Sequence, residues 1–450
     1  MTNPKVTVIG SGYVGTVAAA CLARIGHHVV GVECSSRALA HLAQGRAPFF
    51  EPGLDELLAE GIRGGKLHFT ADPVEAVQES RFVFLCVGTP PGDDGMPDMT
   101  PMATVLRSVA PVLEPDHILI SKSTVPAGSA QWIRSMVDDL VGGHRDRAPA
   151  VVSNPEFLRE GQAVNDFMNP ERIVLGGDDP VALDQVADLY GPIVTQAFPF
   201  SDPIPVLRTD TATAEMSKYA ANAFLAAKIS LTNELAHFCQ LLGGDINAIG
   251  AVVGLDERIG PQFLDAGMGW GGSCLGKDLA ALLAAGDDHG YHSPLLEAIR
   301  AVNDRQRLMA LTYLREQLAD LRNRHISLLG LAFKPGTDDT RDAPAVEIAQ
   351  QLLAAGAEVT AYDPTARPPP ELAGIRTAAD AYRAAQDADA VVLATGWEEF
   401  ATLDLRRLRR VMRGDVVFDG RNLLDPDAAR LAGLTYQGVG RSPLPRVNAT

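Results

Sequence analysis

The chain has 450 residues, of which 46% are hydrophobic and 21% are charged, a composition typical of folded globular proteins. Its length predicts two or three domains. Its net charge of −17 excludes a broad electrostatic affinity for nucleic acid or for an anionic membrane surface. Because the sequence also has no apolar run of about 18 residues or more, we expect neither nucleic acid nor a membrane among its partners.

The five cysteines are scattered singly along the chain. None belongs to a CxxC pair or to a cysteine–histidine cluster, so the sequence predicts no metal site. The odd number of cysteines and the lack of a secretory signal pattern favour reduced thiols and a cytoplasmic location. We expect four of the five to be small buried side chains, with Cys274 as the exception.

Short β-like runs alternate with helical stretches in the first part of the chain. The runs cover residues 6–9, 28–32, 82–87, 118–121, 151–153 and 173–176. Such alternation predicts a doubly wound, mainly parallel sheet, in a domain that we place at residues 1–200.

The motif GSGYVG at residues 10–15 joins the first predicted strand to an alanine-rich helix. Its glycines permit a tight turn and the close approach of a pyrophosphate to the helix N-terminus. Glu33 follows Gly15 by 18 residues, at the end of the next strand, where its carboxylate would accept ribose hydroxyls and repel a 2′-phosphate. The pattern predicts NAD binding, against the alternative of a structural glycine turn. The candidate residues are Gly10, Gly12, Tyr13, Val14, Gly15 and Glu33.

Two later strands end in proline-containing loops, CVGTPP at residues 86–91 and SKSTVP at residues 121–126. Ligands of open parallel sheets bind at the carboxyl ends of the strands, so both loops are placed to line the cofactor. Each loop taken singly is equally well explained as a turn that a proline terminates.

Residues 211–242 contain neither proline nor glycine and carry apolar side chains at helical spacing. We predict one long helix, closed by Gly243 and Gly244, that connects two domains and also serves as a dimer interface. Lys218 and Asn222 share one face of it, and their spacing alone favours a solvent-exposed pair.

The segment GWGGSCLGKD at residues 269–278 places one thiol between a glycine-rich turn and a carboxylate. The preceding glycines make a poor core strand, so Cys274 is a candidate nucleophile. We expect Ser273 to cap a helix that starts at the cysteine, and a helix N-terminus lowers a thiol pKa. A nucleophile together with a dinucleotide motif suggests oxidation through a covalent thioester.

Strand-like runs resume at residues 326–329, 358–362, 390–393 and 416–419, and residues 442–450 form an expected loose tail. They predict a second, smaller α/β domain. The expected fold class is therefore α/β, with two doubly wound Rossmann-like domains joined by a long central helix.

Several motifs lie in order along the chain, from residue 6 to about residue 422. Besides GSGYVG, the VGTPP and KSTVP loops and GWGGSCLGKD, they are NPEFLREG at 154–161, RIGPQFL at 258–264, LAFKPGTDDTRDAP at 331–344 and DGRN at 419–422. In these motifs the chain resembles the UDP-glucose/GDP-mannose dehydrogenase family.

The resemblance implies the four-electron oxidation of a nucleotide-sugar C6 alcohol to a carboxylate, with two NAD per turn. Cys274 would capture the aldehyde as a thiohemiacetal, which is oxidised to a thioester and then hydrolysed. The resemblance also implies that residues 1–200 bind NAD and that residues 201–315 form a central dimerisation region with the cysteine loop. Residues 316–450 would bind the UDP-sugar.

Residue roles follow from the same resemblance. Cys274 is the expected nucleophile, Lys218 and Asn222 would stabilise oxyanions, and Asp278 and Glu156 would activate water positioned by Thr124, with the choice of base left open. The further cofactor positions are Thr89, Thr124, Glu160, Lys277 and Arg341. The substrate positions are Glu156, Phe157, Leu158, Lys218, Asn222, Arg258, Phe263, Gly271, Lys334 and Arg421. In a homodimer or a higher homo-oligomer, we expect Arg258 to serve the neighbouring subunit.

The chain departs from the family pattern at three places. Trp270 stands where Phe or Tyr is usual, Leu275 and Gly276 replace a Phe-Pro pair, and Glu33 replaces the commoner Asp. Glycine at position 276 is expected to loosen the turn that carries Cys274.

Several functions compete within the fold. GDP-mannose oxidation uses the same chemistry, but KPGTDDTRDAP and IGPQFLDAG look more like the UDP-glucose branch, and NPEFLREG disfavours UDP-N-acetylmannosamine. A two-electron hydroxyacid dehydrogenase has no need of Cys274. A non-catalytic NAD or nucleotide-sugar sensor has no need of a full set of catalytic side chains. UDP-glucose is therefore the expected substrate and NAD the expected cofactor.

Overall fold

The computed structural model describes residues 5–92, 95–142, 148–195 and 203–441. The tail predicted at 442–450 and the domain boundary predicted at residue 200 lie outside the described residues. The chain divides into two compact units, Met1–Ala221 and Asn222–Thr450. Within the described ranges, no helix is long and apolar enough to cross a membrane.

The first unit is built on an eight-stranded sheet with the order β3-β2-β1-β4-β5-β6-β7-β8. The pairs are parallel except between β6 and β7. The strands are β1 Lys5–Ile9, β2 His28–Val32, β3 Leu67–Thr70, β4 Phe82–Leu85, β5 Ile118–Ser121, β6 Ala150–Ser153, β7 Ile173–Gly176 and β8 Val206–Thr209. This strand order is that of a doubly wound sheet and confirms the predicted class.

Helices cover both faces of this sheet, so its central strands are buried on two sides. In β4, Phe82 and Phe84 join one apolar cluster while Val83 and Leu85 join another. The helices are α1 Tyr13–Arg24, α2 Ser36–Leu42, α3 Leu54–Arg63, α4 Pro73–Gln78, α5 Thr100–Val109, α6 Ser129–Leu140, α7 Ala163–Met168, α8 Pro180–Leu189 and α9 Gly191–Val194.

The long helix is confirmed as α10, Thr211–Leu242, with 32 residues. It begins after Asp210, whose carboxylate accepts a hydrogen bond from the Thr213 backbone N–H at 2.8 Å. It ends at Gly243, whose positive φ of 79° suits a left-handed C-terminal residue. The helix joins the two units, and the division between them falls inside it, after Ala221.

The second unit starts with helices and continues as a smaller α/β domain. Its helices are α11 Ile246–Gly254, α12 Leu275–Asp288, α13 Pro294–Arg307, α14 Met309–Leu318, α15 Pro344–Ala354, α16 Ala381–Ala384, α17 Glu398–Ala401, α18 Leu405–Val411 and α19 Pro426–Leu431. Its strands are β9 His325–Leu329, β10 Glu358–Tyr362, β11 Arg376–Thr377, β12 Ala390–Leu393, β13 Val416–Asp419 and β14 Thr435–Gly438.

These six strands form a parallel sheet in the order β11-β10-β9-β12-β13-β14. This order repeats that of the six strands from β3 to β6 in the first sheet, so the second Rossmann-like domain is also confirmed. The edge strands β3, β8, β11 and β14 are not predicted by the hydrophobic pattern.

Candidate active site

The glycine turn lies between β1 and α1, as the motif predicts. The Gly10 backbone N–H donates to the Val32 carbonyl at 3.1 Å, which fixes the turn against β2. A side chain at Gly15 would overlap the Gly10 carbonyl, whereas a Cβ built at Gly12 meets no atom within 4 Å. The space beside Gly12, at the N-terminus of α1, is the kind of open cradle that a pyrophosphate requires. The neighbouring Val14 packs against the core.

Glu33 directly follows β2 and is partly exposed. Its Oε1 accepts a hydrogen bond from the Ser35 backbone N–H at 2.7 Å, which orients the carboxylate. The loops after β4 and β5 are tied together by Thr89, whose Oγ1 donates to the Thr124 carbonyl at 2.7 Å. These loops and Glu33 all follow the carboxyl ends of parallel strands, so the residues present fit NAD.

A buried carboxylate that the sequence does not single out braces the glycine turn. The Tyr13 hydroxyl donates to Glu51, and the Gly161 backbone N–H reaches Glu51 Oε2 at 2.6 Å and the Tyr13 oxygen at 2.7 Å. Burial and the negative charges of Glu51 and Glu160 raise the pKa of Tyr13. The negative charge of Glu160 therefore lies close enough to Tyr13, in the glycine turn, to affect its hydroxyl.

Lys218 and Glu156 form an ion pair in the interior of the first unit. Lys218 Nζ lies 3.0 Å from Glu156 Oε1, and both side chains are almost completely buried. The Leu158 backbone N–H donates to Glu156 Oε2 at 2.7 Å. The alternative of a solvent-exposed Lys218 and Asn222 pair is wrong, since both residues are buried.

The ion pair borders a cleft that Thr124 and Glu215 also line. Glu215 accepts hydrogen bonds from the backbone N–H groups of Gly128 at 2.6 Å and Ala130 at 2.7 Å. These bonds secure the segment that runs from Thr124 into α6. The structure therefore places Thr124, Glu156 and Lys218 together. Glu215 is not among the predicted site residues, although it precedes Lys218 by three residues on one helix face.

Lys122 is a buried cation at the same end of the sheet. Its Nζ donates to Asn154 Oδ1 at 3.1 Å, and burial lowers the pKa of this ammonium. The predicted substrate residue Phe157 has the Arg172 guanidinium 4.0 Å above its ring, and Leu158 packs against the core. Positive charge is thus gathered around Glu156 in an otherwise acidic protein.

In the second unit, Cys274 is exposed and occupies the N-cap position of α12, a helix of 14 residues. The expectation that Ser273 caps this helix is wrong: the helix begins one residue later, and Ser273 Oγ lies 3.5 Å from Cys274 Sγ. The thiol is thus placed at the positive end of a helix dipole. Of the other cysteines, Cys21, Cys86 and Cys239 are buried as expected, but Cys34 is exposed.

Asp278 lies one turn after Cys274 and is 1% exposed. Its Oδ2 accepts a hydrogen bond from Asn222 Nδ2 at 2.6 Å, and its Oδ1 lies 2.8 Å from Lys277 Nζ. Both carboxylate oxygens are therefore engaged by predicted site residues. Cys274, Lys277 and Asp278 thus lie at the start of α12, and Asn222 of α10 contacts Asp278.

The loop before the thiol is packed tightly. A side chain at Gly271 would overlap the Asp342 carbonyl, and one at Gly272 would meet the Phe333 ring at 2.7 Å. Gly272 also has a φ of 87°, which favours glycine. The glycines of the motif thus let the loop pass close to residues 333–344.

The remaining predicted contacts of the second unit fall into two groups. Arg421 follows β13 and is held by a hydrogen bond from its Nε to the Ala394 carbonyl at 2.7 Å; burial lowers its pKa to about 10. It approaches Gly267, at the start of the cysteine loop. Lys334 lies over the Phe333 ring at 5.6 Å, beside the same loop.

Three further predicted residues are exposed or partly exposed. Arg258 is exposed and forms a bidentate ion pair with Asp256. Arg341 is likewise exposed and paired with Asp339. Phe263 is partly exposed and has a positive φ of 63°.

The comparisons with known proteins agree along almost the whole chain. Residues 4–194, 212–305 and 327–426 match the NAD binding, central and UDP binding domains of the UDP-glucose/GDP-mannose dehydrogenase family. The chain is 41% identical to a UDP-glucose 6-dehydrogenase of Rhizobium meliloti, covering 97% of this chain and 99% of the relative. It is 42% identical to the UDP-glucose 6-dehydrogenase AglM of Haloferax volcanii, with 97% and 100% covered.

A solved structure, a UDP-glucose dehydrogenase from the hyperthermophilic archaeon Pyrobaculum islandicum, is also similar. It has a TM-score of 0.89 and 37% sequence identity, with 98% of each chain covered.

Proposed function

Because the chain belongs to the UDP-glucose/GDP-mannose dehydrogenase family, we propose that it oxidises the C6 alcohol of UDP-glucose to the carboxylate of UDP-glucuronate. Two NAD⁺ are reduced and one water is consumed per turn. The observation that carries the proposal is Cys274, an exposed thiol at a helix N-cap one turn before a buried carboxylate. A two-electron dehydrogenase needs no such nucleophile.

Two NAD⁺ molecules, bound in succession, would each supply one hydride acceptor, the first for the alcohol carbon and the second for the captured intermediate. The cofactor's pyrophosphate would lie on the Gly10–Gly15 turn, and Glu33 would bind the adenosine ribose. Thr89, Thr124, Glu160, Lys277 and Arg341 are the further proposed cofactor residues. The carboxylate of Glu33 would repel a 2′-phosphate, which favours NAD over NADP.

Cys274 turns a difficult oxidation into two steps. Loss of the hydroxyl proton and a hydride gives the aldehyde, and the thiolate adds to its carbonyl carbon to form a thiohemiacetal. Loss of the second hydride leaves a thioester. Water then attacks the thioester carbonyl, the C–S bond breaks, and the thiolate and the carboxylate are released.

Charged and polar side chains support these steps. We propose that the Lys218 ammonium and the Asn222 amide stabilise the oxyanions, and preorganised donors of this kind contribute about 3–4 kcal/mol each. Glu156 and Asp278 serve the water and proton steps, with Thr124 positioning water. In the resting protein Lys218 Nζ lies 3.0 Å from Glu156 Oε1, and Asn222 and Lys277 contact the two carboxylate oxygens of Asp278.

The UDP-sugar is the proposed ligand of the second α/β domain. Arg421, Lys334 and Arg258 would supply positive charge for the diphosphate, and Phe157, Leu158, Phe263 and Gly271 would contact the remaining parts of the substrate. Arg421 has its Nε held by a backbone carbonyl, so its guanidinium is oriented before any ligand binds. UDP-glucose is preferred over GDP-mannose because of KPGTDDTRDAP and the IGPQFLDAG approach to Cys274.

Stoichiometry tests the proposal directly. NADH formed per UDP-glucose consumed should be two, and GDP-mannose assayed in parallel should give none. One NADH per UDP-glucose would show that oxidation stops at the aldehyde, and turnover only with GDP-mannose would move the substrate to the other branch. Binding of both ligands without any NADH would establish the sensor instead.

A nucleophile variant separates the thioester route from other four-electron routes. Cys274→Ser should bind NAD and UDP-glucose normally but lose steady-state production of the acid. Cys34→Ser, which removes the other exposed thiol, is the matched control and should keep full activity. Undiminished acid production by Cys274→Ser would refute the covalent route.

We further propose that two copies associate through α10. Its exposed apolar side chains recur at helical spacing, and several project from α11 as well. They are Phe224, Leu231, Leu235, Phe238 and Leu242 on α10, Val252 on α11, and Leu255 directly after α11; we call this set the apolar stripe. Phe224 is 74% exposed and Leu242 82% exposed, and exposed apolar side chains along one helix are typical of a protein interface.

Light scattering tests this assembly. The unmodified chain should have the mass of a dimer or a larger even assembly, and Leu231→Glu with Phe238→Glu should give the monomer. A monomeric unmodified chain would contradict the proposal. If Arg258 serves the partner's substrate, mixing inactive Arg258→Ala with inactive Cys274→Ser should restore part of the activity.

A further inference from the structure

Two side chains of α13 form hydrogen bonds with the backbone N–H and carbonyl groups of Trp270, which lies four residues before the thiol. The Trp270 backbone N–H donates to Asn303 Oδ1 at 2.8 Å. Its carbonyl accepts from Asn303 Nδ2 at 3.1 Å and from Arg307 Nη2 at 2.7 Å. Asn303 and Arg307 are 2% and 8% exposed. One amide side chain thus satisfies the donor and the acceptor of a single residue, and a guanidinium adds a third bond.

Arg307 is itself fixed by two carboxylates. Its Nη1 lies 2.6 Å from Asp342 Oδ1 and 3.1 Å from Glu347 Oε2. Burial alone would lower the pKa of Arg307, but the hydrogen bonds and charges of these two acids raise it. Arg307 is therefore a rigid cation, and its bond to the Trp270 carbonyl is charge-assisted.

The indole ring of Trp270 ties the loop to two further helices. Its Nε1–H donates to Ser230 Oγ on α10 at 3.0 Å, and Ser230 Oγ in turn donates to the Ile299 carbonyl on α13 at 3.2 Å. The ring packs in a cluster with Leu279 and Leu283, which lie on α12 behind the thiol. A phenylalanine at this position would fill part of this cluster but would have no donor for Ser230.

Gly276 lies directly under this arrangement, in the first turn of α12. A Cβ built on Gly276 would lie 3.6 Å from Trp270 Cζ3 and 3.2 Å from Asp342 Oδ2. The indole ring of Trp270 therefore lies beside the position that a side chain at residue 276 would occupy. Glycine leaves the first turn with the most backbone freedom of any residue, at a cost of about 0.5–1 kcal/mol, whereas proline there would fix φ.

We propose that Trp270 is a positioning residue for Cys274: its indole bond to Ser230 and the grip of Asn303 and Arg307 on its peptide groups hold the turn that carries the thiol. These contacts restrain the first turn of α12, whose backbone Gly276 leaves free to vary. The proposal rests on Cys274 being the nucleophile of the proposed function. The proposal links the two departures from the family pattern on either side of the thiol. Trp270, before Cys274, restrains the turn that a rigid residue at position 276 would otherwise restrain.

The test removes the indole donor and then restores stiffness by another route. Trp270→Phe and, separately, Ser230→Ala should each lower kcat between about 10- and 100-fold, the scale of a misplacement near 1 Å, while KM changes less than about threefold. The double variant Trp270→Phe with Gly276→Pro should recover most of the lost kcat, because phenylalanine withdraws the nearest ring atom and proline fixes the first turn. Trp132→Phe, on the surface of α6, is the matched control and should behave as the unmodified chain.

A second measurement follows the thiol without turnover. The rate of Cys274 alkylation by iodoacetamide at pH 8, read by peptide mass spectrometry, should fall at least threefold in Trp270→Phe, because the thiol leaves the helix N-terminus. It should return in the Gly276→Pro double variant. Unchanged kcat and alkylation in Trp270→Phe, or losses that Gly276→Pro does not reverse, would overturn the proposal. Since alkylation needs no substrate, it tests the positioning of Cys274 even if UDP-glucose oxidation by the unmodified chain fails.

Discussion

The Nδ2 group of Asn222 donates a 2.6 Å hydrogen bond to the carboxylate of Asp278, and both residues are buried. The bond joins the long helix to the first turn of α12, one turn after the thiol. It sets the direction of the Asn222 amide and keeps a buried carboxylate solvated by the protein. An amide that must both hold Asp278 and stabilise an oxyanion has no spare donor once both bonds are made.

We predict that the activity of Asn222→Asp rises as the pH falls below neutral. At neutral pH two carboxylates would face each other at this distance, and such a pair ionises only in part. kcat should fall about 100-fold at pH 7.5 and recover partly toward pH 5.5, where a shared proton restores a donor to Asp278. Activity measured across this range checks the prediction. Asn165→Asp, at an exposed position on α7, is the control and should leave the pH profile unchanged. If Asn222→Asp has the pH profile of the unmodified chain, the assigned bond between Asn222 and Asp278 is contradicted.

The ion pair between Lys218 and Glu156 gives a second prediction. Lys218→Met leaves the carboxylate of Glu156 buried without its cation, which should destabilise the protein by about 3 kcal/mol. Lys218→Met with Glu156→Gln should recover more than half of that loss, because no uncompensated charge remains. Neither variant should regain kcat, which we expect to be at least about 100-fold lower.

Chemical denaturation and steady-state assays separate these two effects. A double variant as unstable as Lys218→Met would show that the pair does not account for the stability. Lys228→Met, which changes a lysine farther along α10, serves as the control for the substitution itself.

NAD affinity tests the position of Glu33. We expect Glu33→Ala to raise the dissociation constant of NAD about tenfold, equivalent to about 1.4 kcal/mol, because the ribose hydroxyls lose their acceptor. The preference for NAD over NADP should shrink in the same variant, since the repulsion of the 2′-phosphate is gone. Calorimetric titration of both nucleotides measures this, with Glu56→Ala on the exposed face of α3 as control. Equal NAD affinity in the variant and the unmodified chain would remove the ribose assignment.

Thiol labelling gives a prediction about pH. Burial raises the pKa of Cys21 to about 12 and that of Cys86 to about 12, from 9.0. The thiolate is the reactive form, and raising a pKa by three units lowers its fraction about 1000-fold at pH 8. Iodoacetamide should therefore modify the exposed Cys34 and Cys274 within minutes and leave Cys21 and Cys86 intact.

Mass spectrometry of the peptides identifies the modified residues, and addition of denaturant should make all five cysteines react. Rapid labelling of Cys21 or Cys86 in the native protein would show that the first unit opens around them.

The sequence predicts the central strands better than the edges for a physical reason. Residues 28–32, 118–121, 173–176 and 358–362 are rich in apolar and β-branched side chains because helices cover both faces of the sheets, and their predicted bounds agree with the structure. The edge strand Val206–Thr209 is largely exposed, and Arg376–Thr377 has only two residues. Neither buries enough side chain to leave a pattern in the sequence.

The sequence likewise predicts only part of the candidate site. The spacing of Lys218 and Asn222 identifies one helix face, but it does not reveal that each side chain is buried against a different carboxylate. Asn303 and Arg307 lie on a helix whose sequence, PLLEAIRAVNDRQR, has the polar character of a surface element, so their burial has no signal in the pattern. Ser273 is misassigned as a cap because serine is a commoner cap than cysteine, while the local backbone places the cysteine there.

Both sheets end in short strands: Leu67–Thr70 and Val206–Thr209 bound the first, and Arg376–Thr377 and Thr435–Gly438 bound the second. None exceeds four residues. A short edge offers few free backbone groups to another chain, which is how natural proteins avoid edge-to-edge aggregation. At the high concentrations used for storage or crystallisation, the sheets should therefore give little amyloid-like growth, and clouding should instead follow exposure of apolar helix surface and respond to mild detergent.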